Sequence, residues 1–189
     1  MIIALLGGLI TMQCAGDQQV SIDKYFNIQE FISEQVSSLQ TQDATLVKTL
    51  KIDGSTEKQS IAGLDSIQWE REFRIFREHD INKPVLIDAY SMEEKASKDG
   101  YTVNAYNLID STLSGILNME IIIDPEGEVT SWKSIFSEEN ILYSNLRRVS
   151  MNIHPKGGLI RGYTIHGYHK LAFKDTVFYQ LHAVIEYEK

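Results

Sequence analysis

The sequence predicts a single α+β domain over residues 21–189. Two N-terminal amphipathic helices pack on the concave side of a curved, half-barrel-like antiparallel meander of about six long strands, with a short hairpin between the helices. Three observations predict it. Apolar residues recur at helical spacing in two early segments; β-branched and aromatic residues dominate from Tyr101 onward; turn signals interrupt that later part about every ten to fifteen residues. A chain of 189 residues is long enough for one domain with a sizeable core and short for two.

From Ser21 to Leu39, Ile22, Tyr25, Phe26, Ile28, Ile32, Val36 and Leu39 form one apolar helical face. The second helix has sharper limits. Asp65 is placed as N-cap with Gln68 three residues on for a reciprocal capping bond, and Leu64 can staple onto Trp69. Trp69, Phe73 and Phe76 then share a stripe, and Pro84 bounds the segment. Between the helices, Leu46–Ile52 and Glu57–Ile61 flank the turn dipeptide Asp53-Gly54, which predicts an edge ribbon.

The predicted meander comprises 101–109, 112–124, 128–136, 140–153, 159–173 and 177–188. Asp124-Pro125-Glu126-Gly127 suits a type I turn with a bulge, and His154-Pro155-Lys156-Gly157-Gly158 serves the next reversal. In the last hairpin, Val177, Tyr179, Leu181, Ala183, Ile185 and Tyr187 make one apolar face, which must meet apolar neighbours. A three-residue loop ending at Thr176 satisfies this requirement and sets His169 opposite Leu181 and His182 opposite Tyr168.

The formal charge of -8, from 18 Lys plus Arg against 26 Asp plus Glu, repels polyphosphate and argues against nucleic acid as a partner. The single cysteine excludes an internal disulfide and a multi-cysteine metal site. That residue, Cys14, directly follows an apolar run, Ile2–Met12, too short to cross a ~30 Å hydrocarbon core but of the length of a signal h-region. Asp17, Gln18 and Gln19 then begin a polar tether. Residues 1–13 therefore look like a lipoprotein signal peptide and 14–20 like the tether of a lipid-modified Cys14, although Thr11 and Gln13 depart from the usual lipobox and no positive charge precedes Lys24. The alternative is a buried first strand or helix with a free thiol.

No nucleophile elbow, phosphate loop, zincin motif or dinucleotide fingerprint occurs, so no cofactor or metal is expected. The densest ionisable stretch is RGYTIHGYHK, Arg161–Lys170. Strand alternation sends His166 and His169 to opposite faces, so they are not a metal pair. The predicted register puts His166, Tyr168 and His182 together on the outer face as a ligand-binding or proton-transfer group. His169 is expected inside as a hydrogen-bonded core histidine. Arg147 and Arg148 point to opposite faces, and the inward one needs a carboxylate or an anionic ligand. The acidic stretch Asp80–Asp99 reads as a solvated loop, and Trp132 and Tyr143 as sheet aromatics.

The Cys-ended leader, the helix SIDKYFNIQEFISEQV, the segment IQWEREFRIFREHDINKP and the strand YTIHGYHKLAF resemble uncharacterised exported lipoproteins of Bacteroidota. The resemblance implies no activity. Together with the missing catalytic set it predicts a non-catalytic binding or scaffolding protein held in the cell envelope, at the outer membrane, with an envelope protein or hydrophobic small molecule as partner. One alternative is a carrier with a hydrophobic trough beneath the sheet. The other is an enzyme using the His166, Tyr168 and His182 face.

Overall fold

Each helix begins where a short polar side chain takes up a free main-chain N–H. Asn27 Oδ1 accepts from Glu30 N at 3.0 Å ahead of α1, Ile28–Gln40. At α2, Ser66–Arg77, the expected capping box closes: Asp65 Oδ1 accepts from Gln68 N at 2.8 Å, and Gln68 Oε1 accepts from Asp65 N at 2.8 Å. These elements belong to a computed structural model that describes residues 23–187 apart from 98, 111–114 and 156. The expected signal peptide (1–13), the expected tether (14–20) and Cys14 lie outside the described residues. Helix α1 starts later than the apolar spacing indicated, because Tyr25 precedes it and turns its ring edge-on to Tyr90 and Tyr106 instead.

The strands are β1 Ala44–Ile52, β2 Ser55–Ala62, β3 Tyr90–Ala96, β4 Thr102–Leu108, β5 Gly115–Ile123, β6 Val129–Glu139, β7 Tyr143–Ile153, β8 Ile160–Leu171 and β9 Val177–Tyr187. They form one nine-stranded antiparallel sheet in the order β2-β1-β9-β8-β7-β6-β5-β4-β3. Turn chemistry sets several of the reversals. Asp53 (φ 45°) and Gly54 (φ 88°) both take the left-handed region that a two-residue hairpin loop demands. Buried Asp124 accepts from the main-chain N–H groups of Glu126 and Glu128, at 3.1 and 2.8 Å, and so closes the β5–β6 turn.

This architecture corrects the expected one. A single sheet of nine strands replaces about six strands with a separate ribbon, because β1 pairs along its whole length with β9 and joins the ribbon to the meander. The helices do not both precede the sheet, since α2 follows β1 and β2. The sheet is open, with β2 and β3 as its edges, and not half of a barrel. Strand β3 lies within the stretch read as a solvated loop. Its residues beyond Tyr90 are all exposed, so no alternation of apolar and polar residues marked it as a strand.

Both helices cover the same face of the sheet. Phe76 of α2 sits edge-on to Trp132 of β6 and Tyr163 of β8, with ring centroids 5.6 and 5.3 Å away, and Phe73 lies 6.2 Å from Tyr163. From α1, Gln35 donates to Gly158 O at 2.7 Å and accepts from Ile160 N at 2.9 Å, tying the helix to the start of β8. The two helices are tied by Arg77, whose Nη1 donates to Gln29 O at 2.8 Å.

One polar cluster lies at the margin of this core. Lys48 Nζ of β1 is 2.9 Å from Glu72 Oε2 of α2, while the hydroxyl of Tyr163 donates to the other oxygen of the same carboxylate. Burial, then the Glu72 charge, pushes the Tyr163 phenol above its ordinary range, so it stays a donor. Replacing Glu72 by alanine strands a half-buried ammonium and a buried phenol. We expect a loss of about 1–3 kcal/mol in urea unfolding; a change below about 0.3 kcal/mol would mean that the cluster is fully hydrated.

Candidate functional site

The face without helices is where the sheet exposes its chemistry. Register fixes its rows, because residues paired across adjacent strands point the same way. One row runs Lys51, Gln180, His166, Arg148, Ile135 and Asn118 from β1 to β5. The next contains Thr49, His182, Thr164, Ser150, Lys133 and Glu120. Although the chain is acidic as a whole, Lys51, Arg148 and Lys133 gather around His166 here. A groove of about 590 Å³ is lined by Lys51, Asp53, Arg148, His166, Tyr168 and Gln180 among others. A second hollow of about 340 Å³ adjoins it, lined in part by Glu120, Lys133, Ile135 and Ser150, and Arg148 and His166 belong to both.

Within the groove Arg148 is uncommitted. Its exposed guanidinium forms no hydrogen bond or ion pair with any described residue. A planar donor fork with no internal acceptor suits a carboxylate or phosphate, which it can meet with two parallel N–H bonds. Tyr168 supplies a hydroxyl 3.4 Å from Ser144 Oγ and a ring tilted against Phe178 at 6.1 Å. Gln180 adds an amide beside His166.

The structure brings together only part of the predicted group. His166 and Tyr168 share the groove, but His182 faces Thr164, not Tyr168, and does not line it. The β8–β9 register is shifted, since His169 faces Val177 where Leu181 was expected. The turn between these strands is longer than three residues, and that shift keeps every side chain on its expected face. His169 is on the helix-bearing side as expected, yet it lies beyond the helices, exposed, with its ring stacked 6.0 Å from Tyr143. It is therefore not a core histidine. No group of three or more potential metal ligands occurs among the described residues.

Arg147, the inward arginine, is structural. Its Nη2 lies 3.4 Å from Glu78 Oε2 and 3.3 Å from His79 Nε2, and its guanidinium covers the Phe136 ring at 5.0 Å. His79 is fully buried, with Nδ1 2.9 Å from Ser134 Oγ. The Ser134 hydroxyl donates to Asn118 O at 3.0 Å, so it must accept from His79 Nδ1–H, which leaves Nε2 as acceptor for Arg147. Burial first, then Arg147 and Lys83, lowers the His79 pKa to about 3. A histidine, a serine and an arginine in line suggest nucleophilic chemistry, but this hydroxyl is committed to a main-chain carbonyl and shut away from solvent.

The trough considered for a hydrophobic cargo is filled. Trp69, Phe73 and Phe76 are at most 1% exposed and occupy the space between helices and sheet. No helix among the described residues is long and apolar enough to cross a membrane. Sequence reasoning missed Lys51, Lys133, Gln180 and the role of Arg148 in the groove. Strand parity would have put each on the outer face, but grouping them needs pairings between strands far apart in sequence. No protein-family profile, curated protein or solved structure matches the chain.

Proposed function

We propose that this chain is a lipid-anchored protein of the bacterial cell envelope whose domain is a non-catalytic binding module, and that its outer-face groove holds an anionic group. The observation that carries the reading is Arg148, an arginine with no partner among the described residues, placed between His166 and Ile135 and shared by two adjoining hollows. Lys51, Lys133 and Arg148 outnumber the carboxylates Asp53 and Glu120 that line the same two hollows, so a ligand with a carboxylate or phosphate fits better than a neutral one. Catalysis has no comparable support, because among the described residues His166 forms no side-chain hydrogen bond and Tyr168 meets only the Ser144 hydroxyl, at 3.4 Å.

Two measurements test the two halves of the proposal. In an NMR titration of the His166 ring with inorganic phosphate and with acetate, saturable shifts are expected for at least one anion. Arg148→Gln should weaken that binding about tenfold while leaving the rest of the spectrum in place; equal affinity in the variant would remove the arginine from the site. For the envelope address, supported by the leader and the Bacteroidota resemblance, cells fed an alkynyl fatty acid should label the protein, and Cys14→Ala should abolish labelling. A soluble, unlabelled wild-type protein would end that half.

A further inference from the structure

Taking the outer-face groove as an anion site, we infer that its ligand is an aromatic acid, whose ring lies on a shelf formed by Tyr168 and Phe178 while its carboxylate or phosphate meets Arg148. The row of the outer face next to His166 and Arg148 runs Leu146, Tyr168 and Phe178 across β7, β8 and β9. The two rings tilt against each other with centroids 6.1 Å apart, and both line the groove. On the other side of His166 the row carries Ser150, Thr164 and His182, so the aromatic pair is not the continuation of an apolar face. Phe178 is 61% exposed and stands outside the buried core. A planar apolar surface left in water beside a guanidinium without a partner offers one ligand two complementary contacts, ring on ring and acid on donor fork.

Register sets the size and polarity of the ligand. Arg148 pairs with His166, and Tyr168 lies two residues further along β8, so the arginine and the shelf are diagonal neighbours, roughly 7–8 Å apart. An acid group about two or three bonds from a ring spans that gap, given the reach of the arginine side chain. A groove of about 590 Å³ holds such a molecule and lies within the size range of small-molecule sites. Charge selects where the acid sits. In the adjoining hollow Glu120 directly faces Lys133 and offsets it, so the acid is drawn toward Arg148. Within the groove the Asp53 carboxylate is already engaged, accepting from Phe178 N at 3.0 Å, while Lys51 has no partner among the described residues. The shelf is also held in place before anything binds. Asp53 N donates back to Phe178 O at 3.3 Å, and the Tyr168 hydroxyl lies 3.4 Å from Ser144 Oγ, so little ordering of the shelf accompanies binding.

Titrating the full chain with two pairs of acids, and following the His166 ring by NMR, tests the assignment. The pairs are propionate with 3-phenylpropionate, and inorganic phosphate with phenyl phosphate. In at least one pair the acid that carries a ring should bind about tenfold tighter than its partner, and the pair that responds identifies the acid as carboxylate or phosphate. Phe178→Ser, at an exposed position and with unchanged circular dichroism, should abolish the advantage of the ring and leave the affinity for the small acid as it was. Arg148→Gln should weaken both members of the pair and keep that advantage. Phe173→Ser removes a 97% exposed ring that does not line the groove, and should change nothing. Equal affinity within both pairs overturns the aromatic assignment, as does an advantage that survives Phe178→Ser or is lost in Phe173→Ser; the anion reading then stands on the small acids that still bind through Arg148. Binding of 3-phenylpropanol as tight as that of 3-phenylpropionate instead overturns the anion reading, and the acid falls with it. No saturable shift with any of the four acids overturns both.

Discussion

Phe76→Ala is expected to cost about 3–5 kcal/mol of folding free energy, a large share of the roughly 5–15 kcal/mol available to a domain. The ring is fully buried and contacts Phe73, Trp132 and Tyr163, with centroids 6.2, 5.6 and 5.3 Å away. It therefore joins α2 to β6 and β8 at once, and two of its three neighbours belong to the sheet. Truncation leaves a void walled by large aromatic side chains that cannot collapse into it without shifting the helix. Urea unfolding followed by tryptophan fluorescence measures the loss, and Phe76→Leu should recover about half of it. A loss under about 1 kcal/mol would show that the helix is loosely seated on the sheet.

The second large effect is acid sensitivity through His79. The folded protein holds this imidazole neutral, with its pKa lowered from 6.5 to about 3, whereas the unfolded chain leaves it near the ordinary value. Between these limits the unfolded state binds a proton that the folded state refuses. The stabilisation is therefore complete above about pH 6.5 and is lost as pH falls toward 3. Over the interval from pH 6.5 to 5, where most carboxylates stay ionised, the loss should be roughly 1–2 kcal/mol, and by pH 3 roughly 3–5 kcal/mol. His79→Gln should be less stable at pH 7, because the bonds to Ser134 and Arg147 are weakened, yet show a flatter decline on acidification. Parallel stability curves for wild type and variant between pH 6.5 and 5 would contradict this assignment.

The contrast between the two sites explains what could be read before the fold was known. Local chemistry was legible: Asp65 and Gln68 announced a helix start, Asp53-Gly54 a tight hairpin, and Asp124-Pro125-Glu126-Gly127 a turn, because each signal lies within a few residues. Face assignment in the last hairpin was also legible, since alternation along a strand is local. The register was not. Slipping it by an even number of residues leaves every side chain on the same face, so the burial pattern cannot distinguish His169 opposite Leu181 from His169 opposite Val177. That ambiguity broke the expected trio, keeping His166 and Tyr168 together while placing His182 in another row. Strand β3 was invisible because an edge with exposed side chains carries no alternation. His79 gave no signal of its own, since its burial depends on Ser134 and Arg147, both distant in sequence.

The open sheet has a consequence for how this protein can exist at high local concentration. Its two free borders are STEKQSIA and YSMEEKA, where Glu57, Lys58, Glu93, Glu94 and Lys95 are all solvated. A foreign strand adding to either border would bring its own side chains against this mixed row of charges and partly dehydrate them, which disfavours fibril-like stacking without the need to seal the sheet into a cylinder. Crowded copies can thus stay side by side while each keeps its hydrogen-bonding margin to itself.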